Sequence, residues 1–341
     1  MQAALHAWTA DEFRFRSGER LRDVRLAYAT LGNPTGIPVL CLHGTGGSGN
    51  GLLTAQFGEH LFGSGGPLDA SRHFIILPDS LGHGRSAKPS DGLRTNFPHY
   101  GYADLVDLQH LLLTQALGID HCKLILGVSM GGMLAWEWGV RYPDFMDCLV
   151  PLSSLPSAMN GRNWILRRLV IDSIREDPQW RGGHYVEQPA GLRRAWTWFN
   201  AAANGGTLAL QRLAPTREAA DRWLDEARSR PIVLDANDYL YQMDASRDYD
   251  PHGQLHCIRA RVLAIVSDDD ERCPVPMLHE AMQRVQDGRT WVIPEGPETC
   301  GHATVSIARL WSDSLRAFLS GRTEDQANLD AGPVEGLRVR D

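Results

Sequence analysis

The chain has 341 residues, of which 43% are hydrophobic and 22% charged, and its formal net charge is −7. That length accommodates one large α/β domain carrying an insertion, and the composition is ordinary for a globular protein. The acidic balance leaves no basic patch for nucleic acid, and no run approaches the roughly 20 apolar residues of a membrane span. The N-terminal Met1-Gln-Ala-Ala-Leu-His-Ala-Trp lacks the charged start and apolar core of a secretory leader. Cys41, Cys122, Cys148, Cys257, Cys273 and Cys300 lie far apart with no C-x-x-C pair. They read as buried or incidental thiols of a reducing, cytoplasmic compartment, with neither a disulfide frame nor a zinc site.

In chain order, Phe13 to Arg16 and Val24 to Leu31 predict two opening strands, the second ending at Gly32-Asn33-Pro34. Pro38 to Leu42 is an apolar strand that runs into His43-Gly44-Thr45-Gly46-Gly47-Ser48-Gly49. A glycine-rich loop after an early strand can supply a backbone N–H to an oxyanion hole. The N–H of Thr45, with Gly46 as the alternative, is the expected donor, and His43 reads as a brace for the loop. Phe74 to Leu77 is a further buried strand, and His83 belongs to the turn Gly82-His-Gly-Arg-Ser. Leu105, Leu108, Leu112, Leu113 and Leu117 recur at helical spacing before the stop signal Gly118.

Leu124 to Leu126 predicts a buried strand, and Gly127-Val128-Ser129-Met130-Gly131 follows as G-x-S-x-G. Met133, Leu134, Trp136 and Val140 then repeat at near-helical spacing. A serine where a strand turns sharply into a helix needs small neighbours, so that the chain can turn and a substrate can reach Oγ. The helix also aims free N–H groups at the site. The Met130 N–H is the expected second oxyanion donor.

After the strand Cys148 to Leu152, strand-like runs vanish from Leu155 to about His256, a stretch that carries Trp164, Trp180, Trp196, Trp198 and Trp223. It predicts a helical cap inserted after the sixth strand. The domains are then a core of 1–154 and 257–320, a cap of 155–256 and a polar tail of 321–341. Such a cap commonly walls an apolar pocket, which suggests a substrate with an apolar or aromatic group. Arg193, Arg194 and Arg212 read as solvated. Val262 to Val266 returns to strand character and ends in Ser267-Asp268-Asp269-Asp270-Glu271-Arg272-Cys273-Pro274. Trp291 to Ile293 is the last strand, and it leads to Gly301-His302 and a helix ending near Leu319. Strands alternating with helices on both sides of the cap predict a mostly parallel sheet covered on both faces.

The order serine, acidic loop, histidine, with a G-x-S-x-G elbow, is that of the α/β-hydrolase fold. Ser129 would be the nucleophile and His302 would take and return its proton. A carboxylate would fix the imidazole tautomer and stabilise its cation. Asp270, three residues after Ser267 and four before Pro274, has the favoured spacing for that acid, with Asp269 and then Asp268 as alternatives. Each oxyanion N–H would be worth roughly 3 kcal/mol of barrier. No G-x-G-x-x-G after the first strand, no Walker loop and no H-E-x-x-H is present. No cofactor and no metal is therefore expected.

Three marks together give a more specific resemblance: Gly127-Val-Ser-Met-Gly-Gly-Met with Tyr142-Pro-Asp; Asp177-Pro-Gln-Trp-Arg-Gly-Gly-His-Tyr; and Asp235-Ala-Asn-Asp-Tyr-Leu-Tyr before Asp248-Tyr-Asp. From about Arg14 to Leu319 the chain resembles the homoserine O-acetyltransferase-related branch of the α/β-hydrolases, in a subgroup with hydrolase-type loops. In the acetyltransferases, the resemblance implies, a cap-helix arginine holds the homoserine carboxylate, three residues before an isoleucine. Counting from Ile174 puts Ile171 there, with Arg168 one turn earlier and displaced. The loop His43-Gly-Thr-Gly-Gly also departs from their Thr-Gly-Asp-containing form. The expectation is therefore a site without a carboxylate clamp and an enzyme that hydrolyses a carboxylic ester or lactone. Transfer from an acyl donor such as acetyl-CoA to an alcohol other than homoserine is the alternative, and a non-catalytic binding module the second. The resemblance further implies a homodimer through the cap.

Overall fold

The computed structural model of the chain describes residues 2–321. Apart from Gly321, the polar tail of 321–341 lies outside the described residues. Strands β1 (Ala4–Arg14) and β2 (Arg20–Gly32) form an antiparallel hairpin with Ala4 opposite Thr30. The first strand starts well before Phe13, where the sequence reading began it. It is an edge strand with most side chains in solvent, so it shows little of the apolar alternation by which a half-buried strand is recognised.

β2 pairs antiparallel with β4 (His73–Pro78). Beyond it β3 (Ile37–Leu42), β5 (Cys122–Val128), β6 (Met146–Leu152), β7 (Arg261–Ser267) and β8 (Gly288–Ile293) run parallel. The order across the eight strands is β1-β2-β4-β3-β5-β6-β7-β8. Central strands are apolar on both faces because both are covered. Leu40 and Leu42 face one core with helices α2 (Tyr102–Leu111) and α3 (Met130–Arg141). Val39 and Cys41 face the other, with α1 (His60–Phe62) and α10 (Ser312–Leu319).

α2 loosens into a wider turn over Leu112–Ala116, and Gly118 at φ 64° stops it, as the sequence predicts. The predicted last helix is broken: two tight turns, Ala303–Ser306 and Ala308–Leu310, precede α10, and the Trp311 indole N–H donates to the Val305 carbonyl across the break.

Between β6 and β7 the chain is helical: α4 (Gly161–Arg175), α5 (Ala190–Ala203), α6 (Thr207–Leu213), α7 (Arg217–Ser229) and α8 (Ala236–Asp244). This is the α/β-hydrolase architecture with its cap inserted after the sixth strand. α8 seats the cap on the core. The Tyr241 hydroxyl donates to the Phe97 carbonyl, the Gln242 amide to the Gly82 carbonyl, and Asp238 accepts from Ser90 N–H and Oγ–H. Because β3, β5, β7 and β8 are parallel, the loops that follow them emerge along one edge of the sheet, where open α/β sheets place their sites. No helix among the described residues is long and apolar enough to cross a membrane.

Candidate active site

Ser129 has φ 55° and ψ −110°, a conformation a non-glycine residue holds only when its surroundings enforce it. What enforces it is close packing of the turn. A Cβ on Gly127 would lie 2.0 Å from the Gly131 carbonyl oxygen, and one on Gly131 would lie 2.2 Å from that of Leu42. Only glycine lets β5 turn directly into α3, so Oγ stands clear of the backbone.

His302 follows β8 and faces the serine, with Nε2 2.8 Å from Ser129 Oγ. Its Nδ1 lies 3.0 Å from both carboxylate oxygens of Asp270. Asp270 is held in turn by the N–H groups of Arg272 (2.9 Å) and Cys273 (3.1 Å). The other two candidates for the acid face elsewhere. Asp268 is exposed, and Asp269 accepts from Ser267 Oγ and from the Gly301 N–H. Burial pulls the His302 pKa down, and the Arg272 charge pulls it further, against the opposing pull of Asp270. The imidazole is therefore neutral at neutral pH, ready to accept a proton. Burial alone would push Asp270 up. The electrostatic pull of the His302 ring and its hydrogen bond, with the Arg272 N–H and charge, outweigh it and hold Asp270 as a carboxylate, at about 2.

The glycine-rich loop after β3 packs against the elbow, with Gly44 directed at Ser129 Cβ. Neither the Thr45 nor the Met130 N–H has a hydrogen-bond partner among the described residues. His43 braces this loop from beneath. Its ring is buried, Nδ1 lies 2.8 Å from the Gly44 carbonyl, and Nε2 accepts the Ser80 N–H. With one nitrogen donating and the other accepting, His43 is neutral, and burial lowers its pKa in keeping. Asp79 clamps the far end, accepting from the Gly49 and Arg85 N–H groups.

A cavity of about 100 Å³ opens beside Ser129 and His302. It corrects one expectation. The clamp position Ile171 is an apolar, buried residue, and Arg168 is in solvent, paired with Asp172. Arg167, one turn before Ile171 on the same face, is 1% exposed and lines the cavity. Arg272, on the acid loop, lines it too, as does Glu271, whose Oε2 accepts the His302 N–H at 3.1 Å. None of the five cap tryptophans is in the lining. Trp196 instead packs on Tyr239 and borders a separate groove beside Gly46. Arg167 was detectable in the sequence: positions 167, 170, 171 and 174 form the buried stripe of α4, and an arginine there interrupts an apolar helical face. Arg193, Arg194 and Arg212 are exposed as expected.

Residues 37–191 match the family model described as alpha/beta hydrolase fold. A homoserine O-acetyltransferase of Haemophilus influenzae is 33% identical over 325 residues, covering 84% of this chain and 89% of that protein. Among solved structures, homoserine O-acetyltransferase from Bacillus anthracis superposes with a TM-score of 0.81 at 22% identity, covering 94% and 98% of the two chains. An acetylester hydrolase from Corynebacterium glutamicum superposes almost equally, with a TM-score of 0.80 at 22% identity over 93% and 96%. A transferase and an esterase thus share this backbone to the same degree. With the elbow, the sheet order and these relatives in hand, the chain belongs to the homoserine O-acetyltransferase-related branch of the α/β-hydrolase family of enzymes.

Proposed function

We propose that the protein is a serine hydrolase that cleaves a carboxylic ester through an acyl-enzyme on Ser129. The observation that carries this reading is the unbroken chain from Ser129 Oγ to His302 to Asp270. Ser129 Oγ attacks the ester carbonyl carbon while His302 Nε2 takes its proton. Asp270 holds Nδ1–H and stabilises the imidazolium that forms. The Thr45 and Met130 N–H groups face the tetrahedral oxyanion, each worth roughly 3 kcal/mol. Collapse breaks the bond to the alcohol oxygen, which leaves with the proton from His302. Water then attacks the acyl carbon, giving its proton to His302, and the acid departs as Ser129 recovers its proton.

Whether water or a bound alcohol intercepts the acyl group decides between hydrolysis and transfer. The loop His43-Gly-Thr-Gly-Gly and the absence of an arginine at position 171 support hydrolysis. Arg167 supports the second reading, transfer to an alcohol that carries a negative charge. Release of p-nitrophenol from acetate and butyrate esters, with and without homoserine and beside Ser129→Ala, separates them. Steady turnover abolished by Ser129→Ala and unchanged by homoserine supports the hydrolase. Acceleration with formation of O-acylhomoserine would establish transfer instead.

A further inference from the structure

Arg167 and Arg272 line the same cavity, one from the cap helix α4 and one from the acid loop of the core. Neither has a carboxylate within ion-pair distance among the described residues, where many surface arginines do. Arg167 is 1% exposed and makes only weak contacts: Asn163 Oδ1 at 3.2 Å, Thr45 Oγ1 at 3.4 Å and Met243 Sδ at 3.8 Å. Arg272 is 9% exposed. One Nη donates to Asn204 Oδ1 at 2.7 Å, and the guanidinium lies over the Phe199 ring at 5.6 Å. Its Nε–H is buried with no acceptor among the described residues.

Two buried guanidinium groups without acids are costly, because each is desolvated and each repels the other. Asp270 and Glu271 favour the Arg272 charge through space, but neither forms an ion pair with either arginine among the described residues. Asp270 is committed to His302, and Glu271 to the His302 N–H. Burial draws the Arg272 pKa down, against the opposing pull of the Asp270 and Glu271 charges, and the Arg167 charge adds to the fall; at about 10, Arg272 still carries its charge at neutral pH. Asn204 and Phe199 fix the orientation of that charge. Such a preset donor fork matches a planar carboxylate, which can accept two parallel N–H bonds.

Resting on the hydrolase reading, we propose that Arg167 and Arg272 form an anion subsite beside Ser129, and that the ester cleaved there carries a carboxylate. Both arginines line the cavity that Ser129 and His302 line, so the carboxylate lies near the ester bond. This differs from the apolar or aromatic group that the cap tryptophans suggest.

Two pairs of near-isosteres test the subsite and locate the acid. Monoethyl succinate and its amide, ethyl succinamate, place it on the acyl side. 4-Acetoxybutanoate and 4-acetoxybutanamide place it on the alcohol side. Calorimetric binding to Ser129→Ala reads recognition without turnover, so failure of the hydrolase reading leaves this test intact. Tenfold or tighter binding of the acid over its amide is expected in at least one pair. In the Ser129→Ala background, Arg272→Met or Arg167→Met should collapse that ratio toward one, and a thermal melt verifies that each variant is folded. The ratio is the readout, since a general folding defect weakens both members of a pair alike. Should an arginine variant not fold, Arg272→Lys, which keeps the charge but loses the fork, should retain only part of the preference. Equal binding of acid and amide in both pairs, or a preference that survives both Met variants, would overturn the proposal. With active enzyme, the preference should appear in KM for the same pair.

Discussion

His302 Nε2 stands 2.8 Å from Ser129 Oγ although 173 residues separate them in the chain. The loops after β5 and β8 meet only because the strands are parallel and their carboxyl ends share one edge. Replacing either partner should therefore stop the chemistry without disturbing the sheet. Ser129→Ala and His302→Ala are each expected to lower kcat by roughly 10⁴-fold or more, with melting temperatures near that of the parent. Ester-hydrolysis kinetics beside a thermal melt check both parts.

The three aspartates of the acid loop should separate sharply. Asp270→Asn leaves the imidazole in the wrong tautomer, and a loss of about 10⁴-fold in kcat is expected. Asp269→Asn leaves one acceptor oxygen for the two donors Ser267 Oγ–H and Gly301 N–H, neither of which touches the imidazole, and should cost tenfold or less. Equal effects would mean that the loop acts as a charge cluster and that Asp270 has no special role.

The His302 loop has no spare room. Gly301 sits at φ 61°, and a Cβ there would lie 2.3 Å from Glu271 Oε2 and 2.6 Å from the Gly206 N. Gly301→Ala should destabilise by about 1–3 kcal/mol and should lower kcat by displacing the imidazole. Denaturant titration and kcat measured together distinguish this from a purely local effect, in which stability falls while kcat stays.

The pH profile follows from the surroundings of His302. The proposed mechanism requires the neutral imidazole, and burial with the Arg272 charge favours that form. The acid limb of kcat/KM for a neutral ester should have its midpoint below the ordinary histidine value of 6.5. Arg272→Met removes a positive charge that opposes protonation, so the midpoint should move up. An unmoved or lowered midpoint would show that Arg272 does not act on the histidine.

Cap docking carries its own pH signature. Burial raises the Asp238 pKa to about 6, against the opposing hydrogen bonds from Ser90. The folded state therefore holds this proton more tightly than the unfolded one, whose value is about 3.8. The stabilising protonated form is fully present below the unfolded value, and the contribution fades as pH rises from about 4 to about 6. Its size is on the order of 2–3 kcal/mol. Asp238→Asn keeps an acceptor for the Ser90 N–H, can donate its own N–H to the Ser90 oxygen in place of the second bond, and cannot ionise. Its melting temperature should fall less between pH 4 and pH 6, and should exceed that of the parent at pH 7.

The elements that carry the proposed chemistry are legible in the sequence because each has a local cause. Gly127 and Gly131 announce a turn too tight for any side chain, and the apolar run before them announces the strand. Ser267 and Pro274 frame the acid loop. The start of the edge strand β1 is not legible because its side chains face solvent and leave no periodic trace. The break in the helix after His302 is not legible because the tight turns before Trp311 go with a contact to Val305. Arg167 is hidden for a different reason: the family spacing points to Ile171, and helical geometry puts Arg167 one turn earlier on the same face. Arg272 has no signal of its own, since only the fold brings the acid loop beside Phe199 and Asn204.

The central claim is that Ser129 is an activated nucleophile. The most direct measurement is labelling of the intact protein with a fluorophosphonate, followed by mass spectrometry of its peptides. One phosphonyl group per chain on Ser129 is expected, absent in Ser129→Ala and strongly slowed in folded His302→Ala. No label on the folded protein, or a label on another residue with Ser129 untouched, would contradict it.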